Sequence, residues 1–104
     1  MIEYKVIKEL SDRPDHTQRT LAESLDVSLG KINYVLTGLA EKGLIKMDRL
    51  RTEPGKIRWR YILTPQGILE KTEITRQYLQ KRMAEFDEIQ REIVDLKKEI
   101  GETV

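Results

Sequence analysis

Between Pro65 and Gly101 the only helix breaker is Gly67, which falls in the first turn after a Thr64-Pro65 start. Thr64 supplies a hydroxyl that can cap the first free N–H groups, and proline suits the first helical position, where no N–H partner is needed. The spacing predicts one helix of about 35 residues, roughly 50 Å long at 1.5 Å per residue. A head built from the preceding 65 residues is too small to cover a helix of that length, so its apolar face must be satisfied elsewhere. That face is regular. Leu79, Arg82, Phe86, Ile89, Ile93, Leu96 and Ile100 alternate spacings of three and four, which are the a and d positions of a heptad repeat with Arg82 as its one break. On this register Glu85, Glu92 and Glu99 fall at g, and Gln90 and Lys97 at e. The pattern predicts self-association through Leu79, Phe86, Ile89, Ile93, Leu96 and Ile100, with parallel and antiparallel packing both open. The alternative is a helix folded back on its own head.

Upstream of Pro65 the periodicity is short. Ile2, Val6, Ile7 and Leu10 have helical spacing before Pro14, which ends the segment. Thr17 is an N-cap candidate for a second helix to about Leu25, with Leu21, Ala22 and Leu25 inward. After a tight turn at Asp26-Val27, Ser28 caps a third helix with an apolar stripe of Ile32, Val35, Leu36 and Leu39. Gly43 is placed to end it as a left-handed residue. The period then changes: residues 44–49 and 58–63 read as strands around a loop containing Glu53-Pro54-Gly55-Lys56, where proline and glycine suit the two central positions of a type II turn. The expected fold is mostly α with a small β-hairpin: a winged helix-turn-helix head, residues 1–65, followed by a long coiled-coil helix, residues 66–104.

Charge sharpens this reading. The total is near neutral, 19 Lys and Arg against 18 Asp and Glu, and taken whole it argues against a polyanionic partner. Divided by element it does the opposite. Residues 1–45 balance at −1 and residues 66–104 at −2, while residues 46–60 hold Lys46, Arg49, Arg51, Lys56, Arg58 and Arg60 against Asp48 and Glu53, a local +4. A cationic finger of this kind is what phosphate neutralisation with counterion release requires. Hydrophobic residues make up 38% of the chain, leaner than the usual 45 to 50% of globular domains, as a long solvated helix would make it.

Helix, tight turn, helix and basic hairpin is the order in which the second helix of the pair enters the major groove and the wing rides the backbone or minor groove. With Ile32, Leu36 and Leu39 inward, the outer face of the third helix carries Gly30, Tyr34, Thr37 and Glu41, flanked by Lys31 and Asn33. Ser28 and Lys31 suit phosphate, Asn33 an adenine edge, Tyr34 offers a ring and a hydroxyl, and Gly30 permits close approach. Glu41 lies too far along to face DNA. The candidate DNA-binding set is therefore Ser28, Leu29, Gly30, Lys31, Asn33, Tyr34 and Thr37 in the groove, with Thr17, Gln18 and Arg19 at the start of the second helix. On the wing it is Arg49, Arg51, Lys56 and Arg58. Trp59 and Tyr61 are expected to pack under the wing, and His16, in the first loop, to be a plain surface residue.

Other classes find little footing. The chain has no cysteine and one histidine, with no Gly-rich phosphate loop and no metal-spaced ligand set, so neither an enzyme, a cofactor nor a metal site is expected. The longest uncharged stretches, residues 32–40 and 61–69, are far short of the roughly 20 residues that span a bilayer, and the N-terminus lacks a signal-peptide pattern. A cytoplasmic chain with no membrane partner is the expectation.

The segments Val27-Ser28-Leu29-Gly30-Lys31-Ile32-Asn33-Tyr34-Val35-Leu36, Glu41-Lys42-Gly43-Leu44-Ile45-Lys46 and Tyr61-Ile62-Leu63-Thr64-Pro65-Gln66-Gly67 resemble MarR-type winged-helix regulators. The resemblance is strongest to the small exopolysaccharide (EPS)-associated MarR family regulators and extends over nearly the whole chain. It implies a homodimeric transcriptional regulator of bacterial or archaeal origin that binds double-stranded DNA and acts on a polysaccharide gene cluster. Larger MarR proteins build their dimer domain, and often a ligand pocket, from helices without counterparts here, so no small-molecule effector is expected. The competing reading from another class is a winged-helix protein-interaction adaptor that oligomerises or recruits a partner through its coiled coil.

Overall fold

The computed structural model describes residues 1–102, apart from the side chains of residues 50–53. In chain order these form α1 (Ile2–Asp12), α2 (Gln18–Leu25), α3 (Leu29–Glu41), β1 (Ile45–Glu53), β2 (Lys56–Leu63) and α4 (Pro65–Glu99). The mostly helical winged architecture expected from the periodicity is present. Two compact units divide the chain, Met1–Ile74 and a second from Thr75 onward, so the first turns of α4 are counted with the head. No described helix is long and apolar enough to cross a membrane.

The head is organised by one apolar cluster. Val6, Ile7 and Leu10 of α1 meet Leu21 and Ala22 of α2, the four-residue stripe Ile32, Val35, Leu36 and Leu39 of α3, and Leu44 and Ile45 at the start of the wing. Ile7, Leu21, Ile32, Leu36 and Val6 are almost fully enclosed, each worth about 1.5 to 3 kcal/mol of transfer free energy. Both inter-helix turns are closed by the expected caps. Thr17 accepts from Thr20 N, and the Thr20 hydroxyl accepts from Thr17 N, a capping box with threonine in its third position. Asp26 takes the left-handed conformation, φ 53°, while its N–H and that of Val27 return to Glu23 and Ala22. Ser28 accepts from Lys31 N at 3.1 Å.

The end of α3 is closed in the same way and does more. Gly43 is left-handed at φ 75°; its N–H bonds to Ala40 O, and Leu44 N reaches back to Leu39 O at 3.0 Å. This paired arrangement satisfies the last carbonyls of the helix, and it sets Leu44 beside Leu39 in the core. Thr64 then buckles the return of the chain onto this corner. Its N–H donates to Leu44 O at 3.0 Å, and its hydroxyl donates to Gly43 O at 2.6 Å while accepting from Gly67 N at 3.0 Å. Gly67 is buried, and a Cβ there would overlap the Leu44 carbonyl. Glycine in the first turn of α4 is therefore a requirement of close backbone approach rather than a weak point of the helix.

The hairpin is antiparallel, with pairing from Ile45↔Leu63 to Glu53↔Lys56 and an irregularity between Arg51 and Glu53. It is longer than the six-residue strands expected, because pairing continues to the rim of the Pro54-Gly55 turn. Gly55 has φ 81°, the value demanded at the second central position of a type II turn.

His16 departs from its expected place on the surface. It is 7% exposed, with Nε2 donating to Glu9 Oε2 at 2.9 Å, Nδ1 within 3.1 Å of the Thr20 hydroxyl, and its carbonyl accepting from Tyr61 N at 3.1 Å. Ser24 donates to the same Glu9 oxygen at 3.2 Å. The imidazole and the Glu9 carboxylate thus join α1 and α2, while the His16 carbonyl ties the same loop to β2. The partners come from separate elements, which is why spacing around His16 alone gives no sign of them.

Two outcomes follow for stability. Gly67→Ala should cost about 1 to 3 kcal/mol through overpacking against Leu44, whereas Gly38→Ala, with open space around the added methyl, should stabilise by up to about 1 kcal/mol through helix propensity. Thermal denaturation of both variants checks the contrast. The Glu9 carboxyl is held below the usual glutamate range, chiefly by the hydrogen bond from His16. A depressed carboxylate adds stability at neutral pH that is lost as pH falls through its folded-state value. Glu9→Gln should therefore lower stability by about 1 kcal/mol at pH 7, and its melting temperature should fall less steeply with acidification than that of the unsubstituted chain.

Candidate nucleic-acid interface

The turn between α2 and α3 presents the first turns of α3 to solvent. Ser28, Leu29, Gly30, Lys31, Asn33, Tyr34 and Thr37 are all exposed, and Tyr34 is 82% exposed, a large aromatic surface turned to solvent. The same stripe that buries Ile32, Val35, Leu36 and Leu39 forces this, since residues on the opposite side of a 3.6-residue period must point outward. Arg19 is exposed at the start of α2, and Gln18 is half-buried. The Gln18 amide donates to Leu29 O at 3.5 Å, which ties the two helix starts together. Thr17 and Ser28 both spend their hydroxyls on caps.

Not all of the wing's charge is available. The Arg60 guanidinium donates through Nε and Nη2 to Asp48 Oδ2 at 3.0 and 2.9 Å, and through Nη1 to Asp15 Oδ1 at 3.0 Å. Arg60 and Asp48 are direct cross-strand neighbours. The pairing holds the Asp48 carboxyl below its usual range. Arg60 is a brace between the root of the wing and the loop before α2. Lys46, Arg49, Lys56 and Arg58 are exposed; the Arg51 side chain lies outside the described residues.

Side chains alternate across the hairpin, and the register sets Met47, Arg49, Ile57, Trp59 and Tyr61 on one face, with Lys46, Asp48, Arg58 and Arg60 on the other. Tyr61 packs against the core as expected. Trp59 does not: it is 49% exposed, with the Arg49 guanidinium 5.8 Å from its ring centroid, a cation–π arrangement. The Arg49↔Trp59 rung lies two rungs beyond Met47↔Tyr61, further from the root of the hairpin.

Between α3 and the wing lies a groove of about 390 Å³. Leu36, Ala40, Met47 and Tyr61 form its apolar floor, and Asn33, Thr37, Glu41 and Lys46 its rim. Sequence spacing gave no hint of it, because it exists only once β1 is set against α3. It brings Asn33 and Thr37 into one surface with the base of the wing. Glu41, set aside on sequence as too far along α3, also stands on this rim.

Residues 2–46 match the family of winged helix-turn-helix DNA-binding domains. No curated protein sequence matches the chain. Among solved structures, the zinc-responsive MarR family member ZitR of Lactococcus lactis aligns with a TM-score of 0.60 at 20% identity, over 94% of this chain and 71% of its own. FabT of Streptococcus pneumoniae, solved in complex with DNA, aligns at 0.56 and 22% identity over 96% and 74%. The PcaV transcriptional regulator of Streptomyces coelicolor aligns at 0.61 and 21% identity over 92% and 77%. Identities at this level carry a likeness of fold. Residues 2–46 are thus similar in sequence to winged helix-turn-helix DNA-binding domains, and the chain shares its architecture with MarR-family structures.

Proposed function

We propose that this chain is a sequence-specific DNA-binding transcription regulator that works as a homodimer. The observation that carries the reading is the fully outward face Gly30–Lys31–Asn33–Tyr34–Thr37 of α3, beside a wing whose Arg49 and Arg58 remain exposed after Arg60 is neutralised. In this reading α3 enters the major groove with Asn33 and Tyr34 on base edges, Ser28 and Lys31 lie near the flanking phosphates, and the wing cations take the backbone or minor groove. The start of α2, Thr17 to Arg19, flanks the same phosphates.

The dimer reading rests on α4. Leu79, Phe86, Ile89, Ile93, Leu96 and Ile100 are between 46% and 72% exposed in the single chain, an apolar seam interrupted at Arg82 that a second copy would cover. Two copies would present two α3 helices to half-sites about 34 Å apart, or a multiple of that, on a near-palindromic site. A polysaccharide gene cluster is the target class implied by the sequence resemblance.

Neutralising about six phosphates per dimer should make log K fall with log salt at a slope near −5; fluorescence anisotropy with labelled duplex reads it, and a slope near zero would remove the electrostatic basis. Arg58→Ala should weaken binding to all sequences alike, while Asn33→Ala should relax preference at one base position by about 1 to 3 kcal/mol. Equal behaviour of the two variants would contradict the division of labour. Ile93→Asp sets a carboxylate in the seam and should leave a monomer in sedimentation velocity; an unchanged mass would reject α4 as the interface.

A further inference from the structure

The heptad register leaves orientation open on apolar grounds, but the charges beside the seam do not. Every g position along it, Glu85, Glu92 and Glu99, is acidic, while the e positions are Met83, Gln90 and Lys97. In a parallel pair each g residue faces the e residue five positions on in the second copy. Glu92 then meets Lys97 of the second copy, and Glu85 meets Gln90, each contact occurring twice by symmetry. In an antiparallel pair g edges face g edges and e edges face e edges, whatever the stagger. Glutamates would then oppose glutamates along one side, and Lys97 would have no acidic residue at e to meet.

The break at Arg82 fits the same arrangement. It occupies a d position where a parallel pair brings identical residues together, so two unshielded guanidinium groups would repel. Arg82 Nη1 donates to Glu85 Oε2 of its own helix at 2.8 Å, so each copy carries its own counter-ion to that layer. Arg82 is also 63% exposed in the single chain, which suits a long side chain that keeps its head in water while its stem lies along the seam.

From the acidic g edge and its facing Gln90 and Lys97, we infer that the second copy lies parallel on residues 79–100, with Glu92–Lys97 pairs selecting that orientation. The inference rests on the dimer reading above. The chain contains no cysteine, so introduced thiols report proximity cleanly. Under mild oxidation Leu96→Cys alone should form a disulfide-linked dimer, because d faces d in a parallel pair. In an antiparallel pair a faces d, and linkage would instead need Leu96→Cys mixed with Phe86→Cys or Leu79→Cys. Linkage only in such mixtures, or a sedimenting dimer that Leu96→Cys does not link, overturns the orientation and leaves the dimer standing. A monomer in sedimentation with no linkage at all overturns both. Glu92→Lys supplies a second readout that needs no thiol: in a parallel pair it opposes two lysines at each site and should raise the dimer dissociation constant on the order of tenfold. Tighter association of Glu92→Lys would overturn the inference, since that is what relief of a glutamate–glutamate edge produces.

Discussion

The functional parts of the head meet at the corner formed by Gly43 and Leu44. There α3 ends, the wing begins and α4 starts, and all three depend on a few backbone groups. Leu44 N closes α3 onto Leu39, the carbonyls of Gly43 and Leu44 receive the hydroxyl and N–H of Thr64, and Gly67 clears the space that the Leu44 carbonyl needs. Left-handed geometry at residue 43 and absence of a side chain at residue 67 are separate requirements for glycine, one conformational and one steric. The direction in which β1 leaves α3, and with it the place of Lys46 and Met47 at the groove, starts from this corner. The Gly-Leu-Ile and Leu-Thr-Pro-x-Gly segments are the two sides of one buckle.

Electrostatics divides the arginines of the wing between a paired brace and an exposed surface. The formal excess of +4 over residues 46–60 overstates what a phosphate backbone would meet, because Arg60 is held by Asp48 and Asp15. That pairing orients the base of the hairpin against the loop that leads into α2. Arg49 and Arg58 sit on opposite faces further out, so the two kinds of arginine differ in what they face and not in type. Net charge carries no trace of this partition. A total of +1 is compatible with a strongly local cationic surface when the balancing acids lie on other elements.

Much of the fold was legible because it is written in local rules. Apolar spacing located α1 to α4, and Thr17, Ser28, Gly43 and Pro54-Gly55 marked boundaries whose backbone chemistry is short-range. The outward face of α3 followed from its buried stripe. What spacing could not reach depends on partners distant in the chain. His16 looked isolated because Glu9 lies on α1 and Tyr61 on β2, and Arg60 looked like one more wing cation because Asp15 is 45 residues away. Residue type places Trp59 under the wing, but it is half exposed beside the Arg49 guanidinium of the facing strand. The groove beneath Met47 and Tyr61 requires two elements in place before it exists.

In the proposed function DNA recognition lies on α3 and the wing, and self-association on α4. Hydrogen–deuterium exchange, with and without a duplex selected from genomic fragments bound by the protein, separates those surfaces in one measurement. Slower exchange on adding duplex is expected in peptides covering residues 28–37 and 46–60, with peptides from residues 81–99 responding to protein concentration and not to DNA. Protection by duplex confined to residues 81–99, or no protection over α3 and the wing at saturating duplex, would contradict that function.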